Sequence, residues 1–314
     1  MILAIDLGIG ADKYAYKKDK DSEIKYGKHL VTYAEAPIEA EDMPLFEGKR
    51  YYVGEEALME DSENIINIVE YKTYELFSPL SLWVTLDKLN IDIDKVSKLY
   101  IGLSLAQKDY AEQFIKRISK FKVNGVVYDL KDKITLVPQG VSAKYAIDHY
   151  FYNDKANQTY AVIDIGQLTV DMATVISGKI RNENAEGVSN EGVIKIIQKI
   201  QEHIAKEFGE VISIKEAQNV LMTNKYNLFG EHDLTEIINE FKKDYSKYIV
   251  SMLKARHRNI FKKYPKIYFV GGGSYYINKK TLKNETGVSE DSLVFPKDAE
   301  YYNCIGNLYL GLKS

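Results

Sequence analysis

Short apolar segments alternate with longer stretches of helical spacing along the chain. Apolar segments that stop at a turn or a charged residue predict buried strands at residues 1–5, 99–105, 134–137, 160–165 and 266–270. Further strands are predicted at residues 14–17, 50–53 and 170–176. Apolar residues three or four positions apart predict helices at residues 71–90, 110–121, 143–151, 193–208, 214–222, 234–260 and 304–312. Such alternation is typical of an α/β fold with buried central sheets.

The two halves of the chain open in the same way. Residues 1–17 and residues 160–176 each predict a strand, an Asp-x-Gly turn and a returning strand. We interpret this similarity as an internal duplication with its boundary near Asn157, in the polar linker 153–158. Between the two hairpins, residues 18–47 are charged and contain two prolines, which predicts an irregular segment without long helices.

The composition fits a globular protein of a reducing compartment. The 314 residues are 45% hydrophobic and 28% charged, and the net charge of −3 shows no global basic excess that would point to nucleic acid. A single cysteine excludes an internal disulfide. No charged region followed by an apolar stretch opens the chain, and no apolar run approaches the roughly 18 residues of a spanning helix. We therefore expect a cytoplasmic protein.

A glycine-rich turn follows the first predicted strand. Residues 6–13 are Asp-Leu-Gly-Ile-Gly-Ala-Asp-Lys. Backbone N–H groups around Gly8 and Gly10 could approach phosphate oxygens closely, and Lys13 could reach the same phosphates as a point charge. Asp6 would then hold Mg²⁺ through water. The alternative is a simple hairpin with a solvent-exposed Asp6, and this segment alone does not decide between the two.

Residues 164–171 repeat that chemistry in the second half. Asp164 ends a strand, Gly166 follows, and Thr169 adds a hydroxyl group. Two such loops, one from each half, could face each other and clamp one polyphosphate. A hairpin turn without a ligand is again the alternative. A matched pair is much less expected by chance than one copy, so the pair favours a phosphate site.

Two other turns follow predicted strands. Gly271, Gly272 and Gly273 come directly after an apolar strand, which favours close backbone approach to a flat or charged ligand over a flexible loop. Gln139 lies in a Pro-Gln-Gly turn between a strand and a helix. Its neutral amide could orient a water for attack on a γ-phosphate, although in isolation a helix-entry turn is the better interpretation.

Other kinds of site find less support. The chain has no Gly-x-x-x-x-Gly-Lys-Ser/Thr phosphate loop, which disfavours a Walker-type NTPase. The pair Gly8 and Gly10 lacks the third glycine of a dinucleotide fingerprint and leads towards a strand. The five histidines show no metal-ligand spacing, and Cys304 lies in an apolar helix where packing is its expected role.

Taken in order, these segments resemble the superfamily of actin, the Hsp70 chaperones and the sugar kinases. Within it the chain resembles the ParM/StbA family of bacterial actin-like proteins, which segregate plasmids. Residues 187–193 are similar to that family's Ser/Gly-rich entry to a nucleotide-contacting helix, and residues 298–309 are similar to its C-terminal segment. The resemblance extends over residues 1–312.

The resemblance implies an α/β, actin-like (ribonuclease H-like) duplicated fold in which two domains flank a nucleotide cleft. The first domain would comprise residues 1–157, with a small insertion at about 18–65. The C-terminal helix 304–314 would pack back onto that domain. The second domain would comprise residues 158–303, with a helical insertion at about 188–262.

The resemblance also assigns roles to the candidate residues. It places Asp6 and Asp164 near Mg²⁺ and Gln139 beside the attacking water. It implies nucleotide contacts from a set of small, hydroxyl and basic residues: Gly8, Gly10, Lys13, Gly166, Thr169, Gly192, Gly271, Gly272 and Gly273. ATP is the expected nucleotide, with GTP left open, and purine contacts are expected from residues 189–218. The chain departs from ParM at Gln139, where ParM has Glu, and at Gln167, where a small residue or Asp is common.

By the same resemblance, the protein is expected to be a filament-forming ATPase. Protomers would add head to tail, and a DNA-binding adaptor similar to ParR would couple the filament to plasmid DNA. Neither direct contact with nucleic acid nor a membrane is expected. The alternatives are an actin-like scaffold of cell shape or pilus assembly, and a small-molecule kinase of the same fold. A kinase would need a carboxylate base where the chain has Gln139.

Overall fold

Two lobes with central mixed sheets form the protein, and the computed structural model describes residues 1–19, 22–61, 64–154 and 156–313. The strands of the first half are β1 (Ile2–Asp6), β2 (Ala11–Lys17), β3 (Lys25–Leu30), β4 (Tyr33–Ala36), β5 (Leu45–Phe46), β6 (Lys49–Val53), β7 (Lys98–Leu103), β8 (Lys120–Val123), β9 (Val126–Asp129) and β10 (Ile134–Pro138). Those of the second half are β11 (Tyr160–Ile165), β12 (Thr169–Ile176), β13 (Lys179–Ile180), β14 (Glu186–Ser189), β15 (Lys225–Asn227), β16 (Glu231–Asp233), β17 (Ile267–Val270) and β18 (Leu293–Val294). The helices are α1 (Tyr71–Lys88), α2 (Ala111–Ser119), α3 (Ala143–Phe151), α4 (Ile194–Phe208), α5 (Ile214–Thr223), α6 (Thr235–Arg256), α7 (Ile260–Lys263), α8 (Lys279–Thr286) and α9 (Tyr302–Lys313).

The sheet of the first lobe has the order β10-β7-β1-β2-β3. Strand β1 runs parallel to β7 and antiparallel to β2, so Asp6 pairs with Gly102 on one side and with Lys13 on the other. Leu3, Ala4 and Ile5 of β1 are fully buried, as expected for a central strand covered on both faces. Helices α3 and α9 pack against each other, and α9 lies on β1 and β7.

The second lobe repeats this arrangement. Its sheet has the order β13-β12-β11-β17-β18, and β14 also pairs with β12. Strand β11 runs parallel to β17 and antiparallel to β12, so Asp164 pairs with Val270 and with Asp171. The isoleucines of α4 provide a continuous apolar face that is buried in the core of this lobe. Each lobe therefore brings one strand-end aspartate to the edge that faces the other lobe.

The prediction that residues 18–47 are irregular is wrong. Strand β3 extends the main sheet of the first lobe, while β4 and β5 join a smaller sheet of order β4-β6-β5-β8-β9. Strand β4 shows why charge alone is misleading, since Tyr33, Ala34 and Ala36 are buried while Glu35 points outward. The predicted insertion 18–65 includes residues 20, 21, 62 and 63, which lie outside the described residues, and its bounds stay a prediction.

Most of the predicted helices and core strands are confirmed, with shifts at their ends. Helix α3 and strand β11 have the predicted bounds. The helix predicted at 110–121 ends at Ser119, because the next residues form β8, and the one predicted at 234–260 divides at His257 into α6 and α7. The predicted linker 153–158 contains residue 155, and the predicted C-terminal helix 304–314 contains residue 314; both residues lie outside the described part. Within the described ranges, no helix is long and apolar enough to cross a membrane.

Candidate nucleotide site

A cleft of about 870 Å³ separates the two lobes, and most of the predicted site residues line it. The lining includes the predicted residues Asp6, Gly8, Gly10, Lys13, Gln139, Asp164, Gly166, Thr169, Gly271, Gly272 and Gly273. Gly192 lies behind the wall, where an added Cβ would be 2.5 Å from the carbonyl oxygen of Gly166. The structure thus brings together turns that are up to 265 residues apart in the sequence.

Two buried carboxylates face the cleft from the two sheets. Asp6 ends β1 and Asp164 ends β11, and each is only 4% exposed. Burial raises the pKa of Asp6, although the positive charge of Lys13 opposes this shift. Burial also raises the pKa of Asp164 to about 6, and the negative charge of Asp6 adds to the effect. Such shifts indicate a site where negative charge lacks compensation and where a cation would stabilise both carboxylates.

Gln139 is held against the first of these carboxylates. Its amide nitrogen donates a hydrogen bond to Oδ1 of Asp6, in the turn that joins β10 to α3. The backbone N–H of Gln139 donates to the carbonyl oxygen of Leu103 at 2.9 Å, which fixes the turn on the neighbouring strand. Since the amide nitrogen is occupied, the amide oxygen of Gln139 is the atom left to accept a hydrogen bond from a water in the cleft.

A buried network around Asp12 holds the first glycine-rich turn. The backbone N–H of Gly8 donates to Oδ1 of Asp12 at 3.0 Å. The other carboxylate oxygen accepts a bond from Ser81 of α1 and lies 3.3 Å from Nε2 of His29 on β3. Sequence reasoning missed this role of Asp12, because its partners Ser81 and His29 come from elements that are distant in the sequence.

Lys13 follows Asp12 on β2 and points the other way, into the cleft. A Cβ on Gly8 would lie 3.0 Å from its Nζ, so the ammonium group sits over the turn. Among the described residues, no carboxylate lies within 4.0 Å of this Nζ. The arrangement leaves the charge of Lys13 available to an anion bound in the cleft.

The second glycine-rich turn is fused to the start of α4. The N–H groups of Val193 and Ile194 donate to the carbonyl oxygens of Gly166 and Gln167, at 3.1 and 2.8 Å. Gly192 is required at this contact, since a side chain there would overlap the turn. Gly192 therefore supports the turn from behind, and Val193 is the residue of the matched segment 187–193 that lines the cleft.

Asp171 lies beneath the second turn and was not predicted as a site residue. Its carboxylate accepts hydrogen bonds from Ser104 of the first lobe at 2.9 Å and from Thr169 at 3.1 Å. Burial raises the pKa of Asp171 to about 8, and the charge of Asp164 adds to the shift. Asp171 does not line the cleft, but it orients two hydroxyl groups that do.

The three consecutive glycines form a tight turn that leads into a short 3₁₀ helix. Gly271 has a positive φ of 79°, and a side chain there or at Gly273 would overlap β11 near Ile165. Gly272 differs, since the nearest atom to an added Cβ is the Glu300 Cβ at 3.9 Å. All three glycines line the cleft, but Gly271 and Gly273 are buried against β11, whereas Gly272 is partly exposed and has room beside it.

Helix α5 and the following hairpin form the far wall of the cleft. Lys215 and Gln218 line it, within the region 189–218 from which purine contacts were expected. Burial lowers the pKa of Lys215, because the charged ammonium group is partly removed from water. Tyr226 of β15 and Tyr276 also line the cleft, so its lining includes aromatic rings as well as the amide of Gln218.

The donor set fits a hard cation that keeps ligands other than the protein. Asp6 and Asp164 offer carboxylate oxygens, and Mg²⁺ in phosphate-binding sites commonly uses one or two carboxylates together with water and phosphate oxygens. The described residues contain no group of three or more His, Cys, Asp or Glu that could hold a metal by itself. A polyphosphate in the cleft would therefore be needed to complete such a site.

Comparison with known proteins identifies the fold. A family model described as "Archaeal actin homologue MreB-like, C-terminal" matches residues 162–284. No curated protein sequence matches the chain. The structure is similar to that of Ta0583, an archaeal actin homologue, with a TM-score of 0.75, 20% identity and coverage of 100% of this chain and 99% of the other.

Two bacterial proteins are also similar in structure. A ParM filament of Clostridium botulinum matches with a TM-score of 0.75 and 18% identity, over 100% of this chain and 99% of the other. ParM of Bacillus thuringiensis, solved with AMPPNP, matches with a TM-score of 0.60 and 18% identity over 99% and 98% of the two chains. The α/β structure is thus an actin-like fold of two domains, as the sequence predicted.

Proposed function

We propose that this protein, whose fold is that of the actin homologues, is an ATPase that assembles into head-to-tail filaments when ATP and Mg²⁺ fill its cleft. One observation carries the proposal: two Asp-x-Gly turns, one from each lobe, face each other across a cleft of about 870 Å³. Such a pair can hold one polyphosphate from both sides, so occupancy of the cleft is coupled to the relative position of the lobes.

The cleft provides separate environments for the two ends of a nucleotide. The N–H groups of the two glycine-rich turns and the ammonium of Lys13 would bind the phosphates. The wall formed by α5, with Lys215 and Gln218, would bind the nucleoside, together with the exposed backbone of Gly272. The neighbour Ta0583 has been solved with ADP and the Bacillus ParM with AMPPNP, which supports an adenine nucleotide here. GTP remains the alternative to be tested.

Gln139 would orient the water that attacks the γ-phosphate. Its amide nitrogen is anchored on Asp6, and its oxygen can accept a hydrogen bond from that water. Asp6 and Asp164 would hold Mg²⁺, which supplies neutralisation of phosphate charge when it is bound. Because an amide is a weak base, we propose slow hydrolysis that limits the lifetime of the assembled state.

Loss of the γ-phosphate would release the two turns from each other. Lys28 and Glu300 form a 2.8 Å ion pair at the edge of the cleft. This ion pair would then be one of the remaining links between the two lobes. A change in lobe angle would weaken contacts between protomers that require the closed form. The filament would thus depend on the nucleotide state.

For the cellular role, we propose the segregation of plasmid DNA in the cytoplasm. A filament of this kind could move DNA through a DNA-binding adaptor similar to ParR, without binding the DNA itself. The similarity to a ParM filament supports this role. Gln139 disfavours a kinase, because phosphate transfer to a hydroxyl group needs a carboxylate base at that position.

The test is right-angle light scattering of the pure protein with Mg²⁺ and ATP, GTP, ADP or no nucleotide, with phosphate release followed in parallel. We expect scattering to rise with ATP above a critical concentration and to fall as phosphate appears. No rise with any nucleotide, in protein that still binds ATP, would refute a filament-forming ATPase. Scattering that rises with ATP but does not fall as phosphate is released would support a static scaffold.

A further inference from the structure

Helix α6 separates two surfaces of opposite character on the second lobe. It has 22 residues, which correspond to a length of about 33 Å. We call residues 206–236 the tip; this segment ends in the first turn of α6. We call residues 254–266 the base; this segment begins in the last turn of α6. The two surfaces therefore lie too far apart to contact each other within one molecule.

The base is strongly basic. Its 13 residues include six lysines and arginines and no acidic residue. Arg256 is paired with Glu186, but Arg258, Lys262 and Lys263 are exposed and have no ion-pair partner within 4.0 Å among the described residues. These three exposed side chains concentrate positive charge within the base.

The tip is acidic and carries exposed apolar side chains. It contains six acidic residues against three basic ones. Glu210 and Glu236 are exposed and have no ion-pair partner within 4.0 Å in the described part of the chain. Val211 is 94% exposed, and Phe229, at the end of the β15–β16 hairpin, is fully exposed. Exposed apolar residues with a charged rim are typical of a protein contact surface.

We propose that the base of one protomer binds the tip of the next copy of this chain. This inference rests on the proposed function, and it names the surfaces through which the head-to-tail filament grows. Arg258, Lys262 and Lys263 would face Glu210 and Glu236 of the neighbouring copy. The aliphatic parts of the two lysines would cover the exposed apolar residues of the tip.

Charge complementarity within a single chain favours a second copy as the occupant of the base. The two surfaces differ from each other, so their contact is heterologous and leaves a free base at one end and a free tip at the other. Because the two surfaces lie at opposite ends of α6, repetition of the contact gives an open row of protomers. Nucleic acid would explain the basic surface but not the acidic and apolar tip.

Charge reversal at each surface provides the test. The base variant is Lys262→Glu with Lys263→Glu, and the tip variant is Glu210→Lys with Glu236→Lys. The control is Lys243→Glu with Lys247→Glu, which makes the same charge change at exposed positions in the middle of α6. ATP-induced scattering is measured for each variant alone and for an equimolar mixture of the base and tip variants. Binding of a fluorescent ATP analogue verifies that each variant is folded.

We expect the critical concentration of each surface variant to rise at least tenfold, because like charges then meet at every contact. The equimolar mixture should recover assembly, since a reversed base fits a reversed tip and an unchanged base fits an unchanged tip. The control should assemble like the unmodified protein.

Several outcomes would overturn the inference. If the unmodified protein assembles and the base variant assembles equally well, or if the mixture fails to recover, the two surfaces do not meet. Equal loss in the control would show a nonspecific charge effect. A base variant that assembles normally but loses binding of a short fluorescent DNA duplex would assign the base to nucleic acid. Failure of the unmodified protein itself to assemble would refute the proposed filament, and this contact with it.

Discussion

The side-chain amide of Asn303 donates a 2.6 Å hydrogen bond to Oδ2 of Asp164, 139 positions earlier in the chain. The oxygen of the same amide accepts bonds from the N–H of Gly140 and the hydroxyl of Ser142, each at 3.0 Å. One buried side chain of α9 thus connects the carboxylate of the second lobe to the turn that carries Gln139. A rotation of the lobes that moves Asp164 away from this turn must break at least one of these bonds.

Replacement of Asn303 by leucine should destabilise the protein by about 2–3 kcal/mol. The substitution keeps the volume but leaves the N–H of Gly140 and the hydroxyl of Ser142 buried without partners, and it removes a donor from Asp164. The free energy of unfolding, measured with denaturant in the absence of nucleotide, checks this expectation. ATP affinity should fall as well, because Asp164 and the Gln139 turn lose their common support.

Asn307 provides a matched control one helical turn later. It is fully buried, and neither polar atom of its side chain has a hydrogen-bond partner among the described residues. Asn307→Leu should therefore leave stability unchanged or raise it by up to about 1 kcal/mol, since it removes an unpaired buried amide. Equal losses for the two variants would show that packing on α9, and not the Asn303 network, determines the effect.

Gly271 and Gly272 should respond differently to alanine. Gly271→Ala combines a positive φ with overlap on Asp164, so we expect a loss of about 2–4 kcal/mol in unfolding free energy. Gly272→Ala has room for its methyl group and should fold with nearly unchanged stability. If Gly272 faces a nucleoside, its variant should still bind ATP several-fold more weakly. Unchanged affinity in a fluorescence titration would remove Gly272 from the binding site.

The strand-end aspartates and the connecting turn were predictable because short-range patterns specify them. A buried strand that stops at Asp-x-Gly places its carboxylate at a sheet edge, and the repeat of this pattern in the second half indicated two facing edges. The hairpin between β8 and β9 was also predictable from the sequence, since Asn124-Gly125 is a typical hairpin turn. Both residues have a positive φ in the structure.

The buried side chains that hold the two glycine-rich turns depend on tertiary contacts that no local pattern specifies. Asp12 accepts a hydrogen bond from Ser81 of α1, 69 positions away, and Asp171 accepts one from Ser104 of the other lobe. A polar residue in a sequence does not show whether its partner will come from water or from a distant element. For this reason the turns could be predicted, but the side chains that hold them could not.

Asp12→Ala should loosen the first glycine-rich turn. The change removes the acceptor of the Gly8 N–H and leaves Ser81 and His29 without their buried partner. We expect ATP affinity to fall about tenfold or more, with a smaller effect from Asp12→Asn, which keeps one acceptor oxygen. Isothermal titration of ATP checks both variants. Equal affinities for the two variants and the unmodified protein would show that the turn holds its shape without Asp12.

The raised pKa of Asp171 makes stability depend on pH. The carboxyl group binds its proton more tightly in the folded protein, with a pKa of about 8 against an ordinary value of 3.8. The contribution of Asp171 to the free energy of unfolding is therefore fully present below about pH 4 and is lost as the pH rises towards 8. Asp171→Asn, which stays neutral, should remove that loss and stabilise the nucleotide-free protein at pH 8.5 by roughly 2 kcal/mol. Thermal unfolding of both proteins between pH 5 and pH 9 measures the difference, and parallel curves would contradict a buried, shifted Asp171.

Substitution of Gln139 should separate assembly from hydrolysis. Gln139→Ala removes the amide oxygen that would orient water, so phosphate release should fall at least tenfold, while ATP still binds through the two turns and Lys13. Asp6 loses one hydrogen-bond donor in this variant, and a shift in Mg²⁺ dependence of ATP binding reports that effect independently. Filaments of Gln139→Ala should form at the usual protein concentration and persist after those of the unmodified protein have disappeared, as followed by scattering and by sedimentation. If phosphate release is unchanged, another group positions the water, and Ser104 and Thr169, whose hydroxyl groups are held by Asp171, become the next residues to replace.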